Sequence, residues 1–414
     1  MSQTDRPSLP GIDLGNPDLF VAGYPHDTWR QLRAEAPISW NPANDWFPGF
    51  WSITKYADVF AISRDTARFS SERGFNLTQD PDDPSPAAGL GKILLGIDPP
   101  RHRRLRRLIT VAFTPRRIAL LESGIRDITT GILDSVVPRG SCDFVVDVAA
   151  KLPVAVICQM MGVPREDWDR MFTLTNQVLG AGDPEYQTTP GEPYETLMHG
   201  YEEMFGYFAR LVVARRAAPR DDLVSALVAA QIDGEHLTDD EILYFCYLLV
   251  LAGNETTRNA TSGGLLALIE HPDEQARLRA DPSLMPTAVE EILRWTSPVL
   301  HMARTAKRDV ELRSVSIAAG ERVVLWYPSA NRDEEVFPES ERFDVGRTPN
   351  YHLAFGIGEH VCLGLNLARL ELRVMFEELL RRLTDIAPAG DVERLRSTFI
   401  GGVKHVPIRF TPAA

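Results

Sequence analysis

The chain has 414 residues and a net charge of −13, with 57 acidic against 44 basic side chains. Such a surplus of carboxylates excludes nucleic acid as a partner of the whole molecule, because phosphate binding needs a basic face. Hydrophobic content of 44% suits a globular protein, and the longest apolar run, YFCYLLVLAG at 244–253, falls well short of the roughly 20 residues a membrane span needs.

The start, MSQTDRPSLPG, is polar and proline-rich and does not read as a signal peptide. Residues 1–11 are expected to be mobile, 12–414 to form one domain, and the protein to be cytoplasmic. DTWRQLRAEAP at 27–37 reads as a helix ended by Pro37, and ISW and FWSIT as short strands from their β-branched and aromatic content. Residues 79–91, QDPDDPSPAAGLG, are the most loop-like internal stretch. From about 100 to 300 the pattern is mainly helical. Short strands return at VELRSVSIAAGERVVLW (310–326), and the chain finishes on VPIRF. The expected fold class is mostly α with minor β. The β segments near the two ends are able to pair with each other, so the chain is not divided.

The clearest element is a long central helix. Thr238 and Glu241 form a capping box, and Asp239 and Asp240 suit the positive end of the helix dipole. Continuing to about His271, where Pro272 stops it, the helix spans about 45 Å at 1.5 Å per residue. Halfway along lies AGNETT, 252–257, whose Gly253, Asn254 and threonines cost helix propensity. One reading is a solvated turn. The other is a local distortion that faces a hydroxyl and a carboxylate into a buried site.

The four cysteines, Cys142, Cys158, Cys246 and Cys362, are widely spaced, which argues against a cysteine zinc site and a disulfide framework. Cys362 stands apart, in HLAFGIGEHVCLGLNLARLELR (352–373), behind Gly356 and Gly358 and before an amphipathic helix. A thiolate at a helix start is stabilised by the dipole and free N–H groups. The setting admits a cysteine nucleophile or an axial thiolate ligand to haem iron. An inert buried cysteine does not account for the neighbouring glycines and histidine.

FGIGEHVCLG resembles the haem-binding loop of the cytochrome P-450 family, F-G-x-G-x-(H/R)-x-C-x-G, at Phe355, Gly356, Gly358, His360, Cys362 and Gly364. Four further motifs follow the family's order. AGNETT resembles its oxygen-activation segment, EEILR holds an E-x-x-R pair as Glu291 and Arg294, FPESERF resembles the segment supplying a third member, Arg342, and DPPRHRRLRR resembles the helix whose His102 and Arg106 reach haem propionates. The likeness covers about residues 12–410. It implies the family fold, with a long central helix over a buried haem b whose iron is bound by Cys362. It further implies Ala252 and Gly253 beside the oxygen site, Glu255 and Thr256 as the acid and alcohol that deliver protons, and Arg304, His102, Arg106 and His360 on the propionates. Glu291, Arg294 and Arg342 would form a buried structural network.

The implied activity is O2-dependent hydroxylation of an unactivated C–H bond, with electrons from NAD(P)H through ferredoxin reductase and ferredoxin. AGNETTRN and SANRD most resemble a bacterial subgroup acting on sterol side chains and methyl-branched isoprenoid lipids, often at a terminal methyl. Terpene or steroid-ring hydroxylation, or a non-catalytic haem sensor, are the alternatives. By family position the pocket lining is Phe75, Leu94, Val250, Val299, Leu300 and Phe399, all apolar as a lipid site requires. Residues 176–200 fall where the family has a mobile lid. Arg103, Arg104 and Arg107 are expected outside as a basic patch for the ferredoxin.

Overall fold

The computed structural model describes residues 6–44, 47–77, 92–232 and 234–413. The loop expected at 79–91 and the first five residues lie outside them. The rest of the expected mobile start is docked: the Trp40 N–H donates to the Pro7 carbonyl at 2.7 Å, and the Arg6 guanidinium lies 3.8 Å over the Trp40 ring while pairing with Glu321. A cation on an indole face, partly shielded and ion-paired, is enough to hold a short segment.

In chain order the helices are α1 (His26–Glu35), α2 (Tyr56–Arg64), α3 (Arg101–Thr110), α4 (Pro115–Ala119), α5 (Glu122–Val136), α6 (Lys151–Met161) and α7 (Trp168–Leu179). They continue with α8 (Pro193–Ala217), α9 (Leu223–Ala229), α10 (Asp239–Glu270), α11 (Pro272–Ala280), α12 (Met285–Thr296), α13 (Tyr327–Ala330) and α14 (Leu365–Arg382). Five strands form the main sheet, in the order Ile38–Asn41, Phe50–Ile53, Arg322–Trp326, His301–Ala306, Phe69–Ser70. Phe50–Ile53 runs parallel to Arg322–Trp326, with Trp51 opposite Val323 and Ile53 opposite Leu325. Residues 272 positions apart, such as Trp51 and Val323, are thereby tied into one sheet.

The central helix starts and stops where its sequence dictates. Thr238 Oγ1 accepts from the Glu241 N–H at 3.2 Å, and the Thr238 N–H donates to Glu241 Oε2 at 3.0 Å. Pro272 cannot continue α10 and opens α11 instead. Most of α10 is apolar on every side and therefore lies inside the main core, packed by α6, α7, α8, α12 and α14. Close approach to α12 and α14 depends on Gly264, where a Cβ would sit 2.7 Å from Ile292 Cγ2 and 2.8 Å from Phe376 Cζ. That contact fixes the helix following Cys362 against the helix carrying Thr256.

Beneath these helices lies a buried ion cluster. Glu291 and Arg294, one turn apart on α12, pair at 2.7 and 2.8 Å with neither side chain reaching solvent. Its third member is Arg347, and not Arg342 as expected. Arg347 Nε lies 3.1 Å from Glu291 Oε2, whereas the Arg342 side chain is exposed beside Glu339. The turn closed by the Arg342 N–H on the Glu339 carbonyl points the Arg342 side chain outward. Only its carbonyl joins the cluster, accepting from Arg294 and Arg347.

Candidate active site

The Cys362 loop is held by its backbone. Gly356 and Gly358 adopt φ of 66° and 82°, in the left-handed region that favours glycine. A Cβ at Gly358 would also lie 2.8 Å from the Ser63 carbonyl oxygen of α2. The turn returns the Cys362 N–H to the Phe355 carbonyl at 2.8 Å, and α14 begins three residues later, at Leu365. Burial pushes the Cys362 thiol up, opposed by the Gly364 N–H and by the charges of Arg106 and Arg369. Arg369 itself lies 4.7 Å over the Phe355 ring and pairs with Glu290 at 2.6 Å. Cys362 keeps accessible surface although protein surrounds it, as expected of a residue lining an internal slot.

Near this loop Arg304 and two histidines converge, with the Asp98 carboxylate nearby already engaged by Lys307 and the Ser71 N–H. His102, on α3, is buried with neither ring nitrogen hydrogen-bonded, and its ring centroid lies 4.3 Å from that of His360. His360 Nε2 reaches Ser71 Oγ at 3.4 Å, and its Nδ1 has no partner. Arg304 is buried, and its guanidinium donates to its neighbour's carbonyl, Ala303, at 2.7 Å. Burial, then the nearby guanidiniums, push His102 down to about 4; burial followed by Arg304 and His102 pushes His360 down to about 2. Donors buried without acceptors call for an anion. Arg106 differs from expectation: its Nη2 donates to the Val361 carbonyl at 2.6 Å, bracing the residue before Cys362.

On α10 the helix is unbroken through 252–257. Thr256 Oγ1 donates to the Ala252 carbonyl at 2.8 Å, so its hydroxyl is satisfied without distortion. Ala252 is exposed, and Gly253 and Thr256 are half-buried, within a helix that is otherwise largely buried. Leu248, one turn earlier, shares this open face. Glu255 does not face the same way as Thr256. It is buried in an ion pair with Arg258, which donates to Asn176 Oδ1 on α7 at 2.7 Å, and Asn259 Nδ2 donates to the same carboxylate at 3.2 Å. Successive helix positions are about 100° apart, so the two side chains diverge. Glu255 Oε2, Asn254 Oδ1, Arg258 Nε and Asn259 Oδ1 are buried without protein partners, which suits ordered water behind the helix.

Two of the expected pocket residues lie elsewhere. Val250 and Leu300 have 0% exposure and so border no open space. Val250 points into the helical core, and Leu300 packs in the cluster of Leu14, Trp29 and Trp326. Phe75 and Phe399 are neighbours, with ring centroids 6.1 Å apart, and Val299 bridges to Ile400. Leu94 lines a small cavity with Phe245 and Tyr244. Leu248, which sequence reading missed, was recoverable from its four-residue spacing before Ala252.

The donor set fits haem: one cysteine sulfur at a helix start, the buried Arg304 guanidinium beside two histidines with unpartnered ring nitrogens, and an open α10 face bearing Ala252, Gly253 and Thr256. No helix among the described residues is long and apolar enough to cross a membrane. Residues 52–407 match the sequence family described as Cytochrome P450. The chain is 43% identical to the methyl-branched lipid omega-hydroxylase of Mycobacterium tuberculosis, over 99% of this chain and 97% of that protein. It is 37% identical to the steroid C26-monooxygenase of Rhodococcus jostii, over 99% and 87% respectively. Its backbone superposes on a Mycobacterium marinum cytochrome P450 solved with pseudoionone, with a TM-score of 0.91, 38% identity and 98% and 99% of the two chains covered. Family motifs, fold and site chemistry agree, and the chain belongs to the cytochrome P450 family, whose members bind haem iron and act as monooxygenases.

Proposed function

We propose that this protein hydroxylates a terminal methyl group of a sterol side chain or of a methyl-branched isoprenoid lipid, using haem b held by Cys362. The observation that carries this reading is the open Thr256 face of α10, set in an apolar core that also holds the Cys362 loop. Haem bound there would supply the oxygen activation, with the Cys362 sulfur as its ligand. The chain's own groups do the rest. Arg304, His102 and His360 would hold the propionates, and Arg106 would stiffen the thiolate loop. Thr256 is the hydroxyl placed to pass protons once it releases the Ala252 carbonyl, and Glu255 reaches that side through ordered water or by leaving Arg258. Phe75, Val299, Phe399 and Leu248 exclude water from the reacting end.

Relatives named for methyl-branched lipids and for steroid C26 support a terminal methyl. Hydroxylation of a terpene or of a steroid ring is the second reading, and the Mycobacterium marinum neighbour solved with pseudoionone favours its terpene form. A non-catalytic haem sensor would have no need of Thr256. Electrons would come from NAD(P)H through ferredoxin reductase and a ferredoxin in the cytoplasm. The docking surface would be α3, where Arg104 and Arg107 face outward and Arg103 pairs with Glu359, together with exposed Val111 (64%) and Leu120 (70%).

The test is a Soret titration of the ferric protein with sterols, branched fatty acids and terpenoids, followed by product analysis with a ferredoxin system. Oxidation at a terminal methyl is expected. Oxidation confined to rings overturns the substrate reading. Retention of the thiolate-type carbon monoxide band in Cys362→Ala overturns the ligand assignment.

A further inference from the structure

The connection between α7 and α8, residues 180–192, is fastened to the C-terminal hairpin of strands Glu393–Arg394 and Val403–His405. Asp183 is the fixed half of the fastening. It is 2% exposed, its Oδ2 accepts from the Arg396 N–H at 3.0 Å, and its Oδ1 accepts from Lys404 Nζ and from the Glu185 N–H, each at 3.0 Å. Glu185 is exposed and forms the other half. Its Oε2 lies 2.8 Å from Lys404 Nζ, and its Oε1 lies 3.0 Å from His405 Nε2. The other ring nitrogen of His405 is bonded to Asp143, at the end of strand Ser141–Asp143, and Glu393 stands opposite His405 across the hairpin. Asp147, behind Asp143, is already paired with Arg139. Burial works against a charge on His405, yet the hydrogen bonds to Asp143 and Glu185 outweigh it and hold the imidazole above its ordinary range.

What the fastening covers lies on the far side of α10 from solvent. Tyr186, next to Glu185, packs so closely on α7 that a Cβ at Gly180 would strike its ring. Burial raises the Tyr186 hydroxyl, with Arg258 opposing and Glu255 adding to the effect, so the ring lies within range of that ion pair. On the hairpin side, Gly402 presses on the Asn259 amide and leaves no room for a side chain. Between them are buried polar atoms with no protein partner: Glu255 Oε2, Arg258 Nε, Asn254 Oδ1, Asn259 Oδ1 and, on α7, Gln177 Oε1. The connection and the hairpin therefore meet over the polar pocket that suits ordered water.

We propose that the Glu185–His405 contact is a charge-sensitive latch, and that its release opens the polar pocket behind Glu255 to bulk water while Asp183 stays anchored. This inference is independent of which lipid is oxidised. The imidazolium donates to Asp143 and Glu185 together. A neutral ring has one N–H, so one of the two carboxylates then faces an acceptor. The latch is thus fully made below the ordinary histidine value of about 6.5, and it is lost as pH rises through the raised folded value. Lys404 is held above its own ordinary range by Glu185 and Asp183 against the effect of burial, so Glu185 is loosened and not expelled.

The experiment measures amide hydrogen exchange by mass spectrometry in the haem-loaded protein at pH 6 and pH 9. Wild type, His405→Gln and His405→Arg are compared at each pH, which cancels the intrinsic pH dependence of exchange. EDTA is present throughout, because donor atoms of Glu185, Glu393 and His405 lie within 4.8 Å of one another, a spacing that trace cations fit. At pH 6, peptides covering 180–187 should exchange roughly two- to five-fold faster in His405→Gln than in wild type, as the loss of a partly exposed ion pair predicts. By pH 9 these two should converge, whereas His405→Arg, charged at both values, should exchange more slowly than wild type. Peptides covering 253–260, the pocket wall on α10, should change in the same direction. Equal exchange of wild type and His405→Gln at pH 6 overturns the latch. A difference confined to 180–187 overturns its role as a gate to the pocket.

Discussion

On the Cys362 side of the site, position is held by the main chain: two left-handed glycines, the Cys362 N–H on the Phe355 carbonyl, and a buried ion cluster beneath. On the α10 side, position is held by side chains on a regular helix, and their neighbours are interchangeable hydrocarbons. The difference has a physical consequence. Backbone conformation tolerates few residue types at a given place, so the first region writes itself into a motif. A pocket wall tolerates any apolar residue of about the right volume, so the second region leaves only a pattern.

The sharpest break between the two regions is energetic. Replacing Arg347 by Ala leaves the fully buried Glu291 with one guanidinium fewer, and a stability loss of about 3–5 kcal/mol is expected. Arg342→Ala touches an exposed pair and should change stability by no more than about 0.5 kcal/mol. Denaturant midpoints of the two haem-loaded variants check this. Equal losses would return Arg342 to the cluster.

Thr256→Ala belongs to the other region and should act on chemistry without acting on the fold. Removing the hydroxyl leaves the helix intact, because only the bond to the Ala252 carbonyl is lost. Product formed per electron pair should fall by about ten-fold or more, with the electrons recovered as hydrogen peroxide. Unchanged coupling would mean that protons pass from the water behind Glu255 without this hydroxyl.

What the sequence made legible follows the same division. The Thr238–Glu241 capping box, the stop at Pro272 and the Cys362 loop were each set by local chemistry, and each stands where the residues placed it. Arg342 was misplaced because the motif names an arginine without saying how a turn will aim it. Val250 and Leu300 were misplaced because hydrophobicity carries no direction, although Leu248 was recoverable from helical spacing. Glu255 adjoins Thr256 in sequence, and adjacency on a helix means divergence. Arg258, at i+3, was the visible sign that the carboxylate would turn away. Glu371 went unnoticed in LARLELR, yet Leu367, Glu371 and Met375 share four-residue spacing on the buried face of α14.

Glu371 gives a prediction with a defined sign. It is buried, its Oε2 has no partner, and burial raises its carboxyl well above the ordinary range. The folded protein thus holds a proton that the unfolded chain releases, so stability falls as pH rises above the ordinary carboxylate range towards the raised folded value. The slope is at most about 1.4 kcal/mol per pH unit. Glu371→Gln removes that slope, and the gap in unfolding free energy between variant and wild type should widen from pH 5 to pH 8. Parallel curves would place a compensating cation or water beside the carboxyl.

The smallest effect is expected at the outer surface of α3, where the backbone-held region meets solvent. Arg103 is already neutralised by Glu359, and Arg106 is committed to Val361, which leaves Arg104 and Arg107 facing outward on α3. For an acidic electron donor approaching a molecule of net charge −13, a local positive charge offsets the general repulsion and speeds encounter. Arg107→Glu should slow reduction by ferredoxin by roughly two- to five-fold at low ionic strength and by less at high, since the Debye length shrinks to about 3 Å near 1 M salt. Lipid-induced Soret shifts should be unaltered, because the Arg107 side chain is exposed on the outer surface of α3. Equal reduction rates at every salt concentration would assign these arginines to solvating the helix and move the docking surface elsewhere.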